Sequence, residues 1–353
     1  MTASALRHPG RLLGGPDDPR SAALRRFSLS ISVLTVVGHT VLGFEQAYLT
    51  PVVAVVAALL TEAVLGTVDA LARGERPWYA AGSTGAVVDL LLPAYITGLA
   101  CAMLLYANDR LMPTVLATVA GVASKYIVRV RVAGRHRHVL NPSNTGIVLV
   151  LLLFPWVGIA PPYQFTEWTA GAVDWLIPLA VLAAGTMLNA KLTGKMPLIA
   201  AWCGGFVAQA LVRWAFLDDI SLVSALLPMT GVAFVLFTNY MITDPGTTPV
   251  RPRDQVVFGA ATAAVYGLLV HFHIVFGLFF ALVITCVLRG AFLVAAERLP
   301  ALRTKPREAG AGRGADVQDT SDSPGTEDGA AAVPGSSASV PAQQSAPLQP
   351  ESR

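Results

Sequence analysis

The chain has 353 residues, 54% hydrophobic and only 13% charged, with a mean hydropathy of +0.58. About a quarter of the residues in a soluble domain are charged, so this composition excludes an ordinary water-soluble fold. The net charge is only +3 and sits mostly in loops, which reads as membrane topology and excludes a nucleic-acid groove.

The apolar residues come in blocks of roughly 17 to 25, the helical length that crosses a hydrocarbon core of about 30 Å. They lack the alternating pattern of a membrane β-barrel. The predicted fold class is therefore an all-α, multi-pass protein of a cell membrane, with the lipid bilayer as its solvent.

Residues 1–26 are polar and Arg-bearing, and the first apolar block ends at Glu45 without a small-residue cleavage motif, so it is read as a retained span. About ten spans are expected within a transmembrane domain over 27–298. They are placed near 27–47, 51–72, 83–106, 111–131, 144–161, 170–189, 196–217, 221–243, 255–271 and 273–296. Between the last two the only separator is His271-Phe272-His273, which requires a tight hairpin.

Of the 25 Lys and Arg residues, only Arg110 and Arg213 fall in one set of alternate loops, and the other 23 assign to the opposite side. Positive residues collect on the cytoplasmic side, so the expected topology is N-in and C-in, with 1–26 a cytoplasmic segment. From Leu302 onward Ala, Gly, Ser, Pro, Asp and Gln dominate, and 299–353 is expected to be a disordered cytoplasmic tail. Ten spans also divide into five and five, which would place the halves in opposite orientations as an inverted repeat, although no internal identity supports it.

Two proline-marked breaks stand out. In the run His138-Val139-Leu140-Asn141-Pro142-Ser143-Asn144-Thr145-Gly146, Pro142 suits a first helical position, and Asn141 and Ser143 can cap the helix. Its free N–H groups and positive dipole end would suit a carboxylate, a phosphate or a reduced flavin ring; equally, it can be a well-capped transmembrane helix. The second break is Thr243-Asp244-Pro245-Gly246-Thr247, where Pro245 disfavours helix at Asp244. Both breaks fall on the predicted cytoplasmic side. A shared pocket would contain His138, Asn141, Pro142, Ser143, Asn144, Thr243, Asp244, Pro245 and Thr247.

Ionisable residues inside spans are expensive and are functional candidates by default. Here they are His39, Glu62, Asp69, Asp89 and Lys125. His39 and Glu62 lie near mid-membrane and could pair, either as a proton path or as a tie between helices. Glu45, Asp174 and Asn189 lie near span ends, where a structural role is expected. Cys101, Cys203 and Cys286 occupy three different blocks and read as buried thiols. His271 and His273 are a weak metal signal, so no metal site is expected. No P-loop, dinucleotide-binding glycine pattern, Cys-x-x-Cys or nucleophile elbow is present.

At the two breaks the chain resembles the membrane family of RnfD and NqrB, the flavin-carrying subunits of ion-pumping oxidoreductases. The matching residues are Lys125, Asn141-Pro142 leading into Leu149 to Pro155, Met229 to Phe237 and Thr243-Asp244-Pro245 with Thr247. Within that family it looks most like the UnbU branch of enediyne antibiotic clusters, through Asn141-Pro142-Ser143-Asn144 and the stretch opening Leu153-Phe154-Pro155-Trp156 and running to Glu167. The resemblance implies a membrane accessory protein of enediyne biosynthesis, with biosynthetic partner proteins and an apolar, polyene-like substrate. The energy-coupling relatives attach FMN to a threonine in a long loop between spans five and six. That loop here shrinks to about 161–168, and Thr166 and Thr169 lack the attachment pattern, so covalent FMN is not expected. A non-covalent flavin or a quinone near the breaks is left open. The competing functions are an inverted-repeat transporter or channel, and a scaffold for partner enzymes.

Overall fold

The computed structural model describes residues 19–298 apart from 42, 81–83, 133–134, 161–170, 218–219 and 245. Most of residues 1–26, the tail 299–353, the short loop 161–168 with Thr166, and Pro245 thus lie outside the described residues.

The first half of the chain contains α1 (Pro19–Thr40), α2 (Leu49–Ala72), α3 (Thr84–Leu104), α4 (Met112–Ile127) and α5 (Pro142–Leu153). The second contains α6 (Val173–Leu188), α7 (Met196–Phe216), α8 (Leu222–Leu226), α9 (Val232–Leu236), α10 (Pro252–His271) and α11 (Gly277–Arg298). Four helices are long and apolar enough to cross a membrane: Leu49–Ala72, Thr84–Leu104, Met196–Phe216 and Gly277–Glu297. A fifth candidate is a bent pair, Leu222–Thr230 and Ala233–Met241, meeting at 64°.

Helix α2 shows why lipid is the appropriate solvent. Thr50, Ala54, Ala58 and Glu62, one turn apart, are buried against the bundle. Val52, Val56, Leu60, Val64 and Val68, on the opposite stripe, are each at least 50% exposed. In water such a stripe would be a large adhesive patch; in a bilayer it is an ordinary lipid face.

The helix pairing follows a pattern. In the first half α1 packs on α3, α2 on both α3 and α4, and α4 on α5; in the second α6 packs on α9, α7 on α10, and α10 on α11. Glycines allow the closest approaches. A Cβ on Gly259 would lie 2.5 Å from the Leu198 carbonyl, and one on Gly146 would overlap the Ala117 carbonyl outright.

The structure corrects the expected elements in four places. The first helix starts earlier, at Pro19, and ends at Thr40. The fifth helix stops at Leu153, giving 12 residues and about 18 Å of rise, because Pro155 forces Phe154 into an extended conformation (φ −124°, ψ 91°). The chain then forms β4 (Gly158–Ile159), antiparallel to β1 (Leu105–Tyr106) at the end of α3. The fold is also not purely α: β2 (Arg129–Val132) and β3 (Arg135–His138) make a hairpin with Arg129 opposite His138 and Arg131 opposite His136. Finally, the sixth segment ends in a π-helical turn at Asn189–Thr193, and the eighth is broken, with a second π-helical turn at Phe237–Met241 after α9.

Gly146→Ala tests the tightest contact. Alanine ordinarily stabilises a helix interior by about 1 kcal/mol over glycine. Here it should destabilise by about 3 kcal/mol because backbone must move. Gly158→Ala, with nothing near its Cβ direction, should leave the thermal unfolding midpoint unchanged in the same detergent.

Candidate functional site

Asn141 brings the two breaks together. Its backbone is extended and its Oδ1 accepts from the Asn144 N–H (3.0 Å), making it the N-cap of α5, with Pro142 in the first turn. Its Nδ2 donates to the Met241 carbonyl (2.9 Å), at the end of the second π-helical turn. Ser143 does not cap; its hydroxyl donates to Asn141 Oδ1 (3.1 Å). Asn144, fully buried, reaches a third element by donating to the Phe279 carbonyl on α11 (2.9 Å). In the first turn of α5, Asn144 is buried and Pro142, Ser143 and Thr145 are half-buried, and the Asn144 N–H is satisfied by the Asn141 amide.

The second break folds around Asp244. Its carboxylate accepts from the Thr247 hydroxyl (2.8 Å) and the Gly246 N–H (3.3 Å), and its carbonyl accepts from the Thr248 hydroxyl (2.6 Å). Thr243 is buried and donates to the Asn239 carbonyl (2.7 Å). His138 borders this loop: a Cβ on Gly246 would lie 2.6 Å from His138 Nε2. Burial pushes the His138 imidazole below its ordinary range, against the pull of the Asp244 charge. The sequence-predicted group of His138, Asn141, Pro142, Ser143, Asn144, Thr243, Asp244 and Thr247 is thus gathered at one end of the bundle.

Beside the joint, between α1, α3 and the second π-helical turn, lies a cavity of about 50 Å³. Its walls are aliphatic (Ile31, Ile96, Leu236), and Ser143 and Tyr240 bring hydroxyls to it. Tyr240 also packs edge-on against Phe27 (5.3 Å between ring centroids). Pockets for ring-bearing cofactors run to several hundred Å³. The space is smaller than a flavin ring system or a whole polyene chain, and its aliphatic walls suit only a short apolar segment.

The intramembrane ionisable residues are tied up in pairs. Lys125 Nζ lies 2.6 Å from Glu62 and the Tyr126 hydroxyl donates to the same carboxylate (2.8 Å), binding α4 to α2. Arg25 makes a two-pronged contact with buried Asp89 (2.6 and 2.9 Å), binding α1 to α3. Arg129 and Arg73 share Asp69. His39 does not meet Glu62. One of its ring nitrogens faces the Thr35 carbonyl (2.8 Å), and its ring packs edge-on against Phe44. The expected His39 to Glu62 pair is therefore replaced by Lys125 on α4, because a carboxylate in low dielectric is better matched by a full opposite charge. Cys101 and Cys286 are buried thiols, and Cys203 is half-buried. Among the described residues no three His, Cys, Asp or Glu side chains gather as a metal site.

Sequence reading missed four residues of the joint. Asn189 is buried rather than hydrated, and its Nδ2 donates to both the Gly185 carbonyl (2.9 Å) and the Asn239 carbonyl (2.8 Å), linking the two π-helical turns. Asn239 in turn crosses over Gly185, where a Cβ would lie 2.6 Å from its own Cβ. Lys195 is buried with Nζ on the Pro249 carbonyl (2.6 Å), and Arg289 of α11 donates to the Thr247 carbonyl. The available signal was composition: polar amides and cations inside or beside apolar blocks. Trp202 adds an anchor, donating to the Thr238 hydroxyl (2.9 Å) amid Phe206, Phe234, Phe237 and Tyr266.

No protein-family model matches the chain, and no curated protein sequence matches it.

Removing one member of a buried ion pair strands the other. Lys125→Met should destabilise by about 3–5 kcal/mol, and the double variant with Glu62→Met should recover most of that loss. Additive losses in a double-mutant cycle would show the pair to be uncoupled. Lys195 gives a pH test. Burial, partly offset by Asp244, lowers its pKa from 10.5 to about 8. Between those values the unfolded chain binds more protons, so the contribution of Lys195 to stability rises with pH across the window and is lost as pH falls back through it. Unfolding of Lys195→Met should lack this alkaline gain.

Proposed function

We propose that this chain is an integral membrane accessory protein of enediyne natural-product biosynthesis. It presents an apolar, polyene-like intermediate at the joint of the two helix breaks, where partner enzymes complete the maturation of the core. The observation that carries this reading is the position of the apolar cavity: it borders Ser143 of the first break and Tyr240 and Met241 of the second, so a chain lying in it ends at the polar joint. The residues that carry the resemblance to the RnfD and NqrB family, and to its UnbU branch, are the ones that build this joint.

In this reading the chain crosses the membrane ten times, with both ends in the cytoplasm. Helices α8 and α9 make one bent crossing, and α5 is completed by the extended segment through Ile159. That segment's backbone is covered by β1 and by the Ala160 N–H bond to the Leu104 carbonyl (2.8 Å), as irregular backbone at membrane depth requires. The distribution of Lys and Arg supports the orientation. A five-plus-five repeat is supported by the pairing of the first helix with the third and the fourth with the fifth, echoed by α6 on α9 and α10 on α11. No flavin step is assigned.

A transport reading is favoured by one observation, the short helix α5 tied through Asn141 to the π-helical turn that ends the bent α8/α9 segment, since transporters build substrate sites from broken helices.

Product formation in an enediyne-producing host separates the two readings. Ala100→Phe, which fills the cavity, and Asn141→Ala, which removes the cap and strands the Met241 carbonyl at a cost of about 3 kcal/mol, should each abolish intracellular product while membrane-inserted protein persists. Asp244→Asn should do the same. Intracellular product that accumulates while export fails would assign transport instead. Full activity in all three variants would refute the joint as the site. An absorbance spectrum of the detergent-purified protein checks the cofactor: a stoichiometric flavin band would give the joint a redox role, and a colourless protein would move weight to transport or scaffolding.

A further inference from the structure

We propose that the β2–β3 hairpin is a binding surface for anionic lipid headgroups, with Arg131, His136 and Arg137 as its contact residues. The inference rests on the assignment of α4 as a span in the reading above and is independent of the proposed chemistry.

The two strands carry Arg129, Arg131, Arg135, Arg137, His136 and His138 and no carboxylate. At the base of the ribbon the cations are satisfied from within. Arg129 meets Asp69 (2.8 Å) and the Lys125 carbonyl (2.6 Å), and His138 is packed against the Asp244 loop. Nearer the tip they are not. Arg131, His136 and Arg137 are exposed, and none forms an ion pair with a described residue. Arg131 stands directly opposite His136, so neither has a carboxylate across the ladder, and an outside anion would relieve the crowding of basic groups.

The shape selects a lipid surface over a protein one. Alternation places Arg131 and His136 on one face of the ribbon and Arg137 on the other. A docked partner meets one face, whereas a headgroup layer surrounds both. The ribbon also leaves α4 through Ile127 (78% exposed) and Val128 (38% exposed), apolar residues that suit the acyl boundary beside the cations. Arg131 stands four residues past the end of α4, within about 13 Å of it, comparable with the thickness of the headgroup layer plus one Debye length.

The test uses the full chain in phosphatidylcholine nanodiscs with or without phosphatidylglycerol. Phosphatidylglycerol should raise the thermal midpoint and be retained by the protein in native mass spectrometry, and high salt should weaken both effects. Two surface cations each contribute roughly fivefold to such binding, so Arg131→Gln with Arg137→Gln should weaken retention about thirty-fold. Lysine at both positions should restore most of it, which separates charge from a folding defect. Inorganic phosphate in phosphatidylcholine nanodiscs should give no shift. Equal midpoints in the two lipids, undiminished retention in the glutamine variant, no rescue by lysine, or equal stabilisation by free phosphate or by polyglutamate would each overturn the proposal.

Discussion

The structure depends on one amide. Asn141 must accept a hydrogen bond from the α5 backbone and donate one to the Met241 carbonyl, and only a side chain with both a carbonyl and an NH2 group on a short stem can do both. Aspartate would cap the helix but could not donate when ionised, and serine would not reach across. Because the bond spans 100 residues of sequence, it fixes the two halves of the chain against each other at the point where each has lost helical continuity. Asn144, one turn later, repeats the device toward α11, so the first turn of α5 is held by amides on two sides.

A second constraint is the low dielectric of the bundle. Every carboxylate among Glu62, Asp69 and Asp89 has a cation within 2.9 Å; the contacts of Glu62 and Asp89 each join two helices, and that of Asp69 joins α2 to β2. These pairs leave the central charges neutralised locally. A proton path through Glu62 and His39 has no hydrogen-bonded route among the described residues, since the two side chains turn to different partners. The ionisable groups are better understood as ties between α1 and α3 and between α2 and α4.

Much of this was legible in the sequence because proline and asparagine have local consequences. Asn141-Pro142 marked a cap, Asp244-Pro245 marked a break, and apolar blocks marked helices. Their convergence was inferred from sidedness alone, and the Asn141 to Met241 bond gives it a physical form. What was not legible arises from contacts distant in sequence. Pro155 was present in the expected fifth span, yet the apolar run around it masked its power to end the helix at Leu153. The Arg129–His138 segment looked like a topogenic loop because its charge obscured the two-residue alternation of a ribbon. Asn189 looked like a hydrated helix end because its partner Asn239 is 50 residues away.

The loop after the second break is held from two directions. Lys195, at the start of α7, grips the Pro249 carbonyl, and Arg289, just past the middle of α11, grips the Thr247 carbonyl. These carbonyls are two residues apart, so the loop acts as a yoke between helices that belong to different packing pairs. Neither helix can slide along its axis by a turn without breaking a charged hydrogen bond to a buried segment. Asp244, whose carboxylate organises the same loop, therefore sits where the relative movement of α7 and α11 would register as a change of shape.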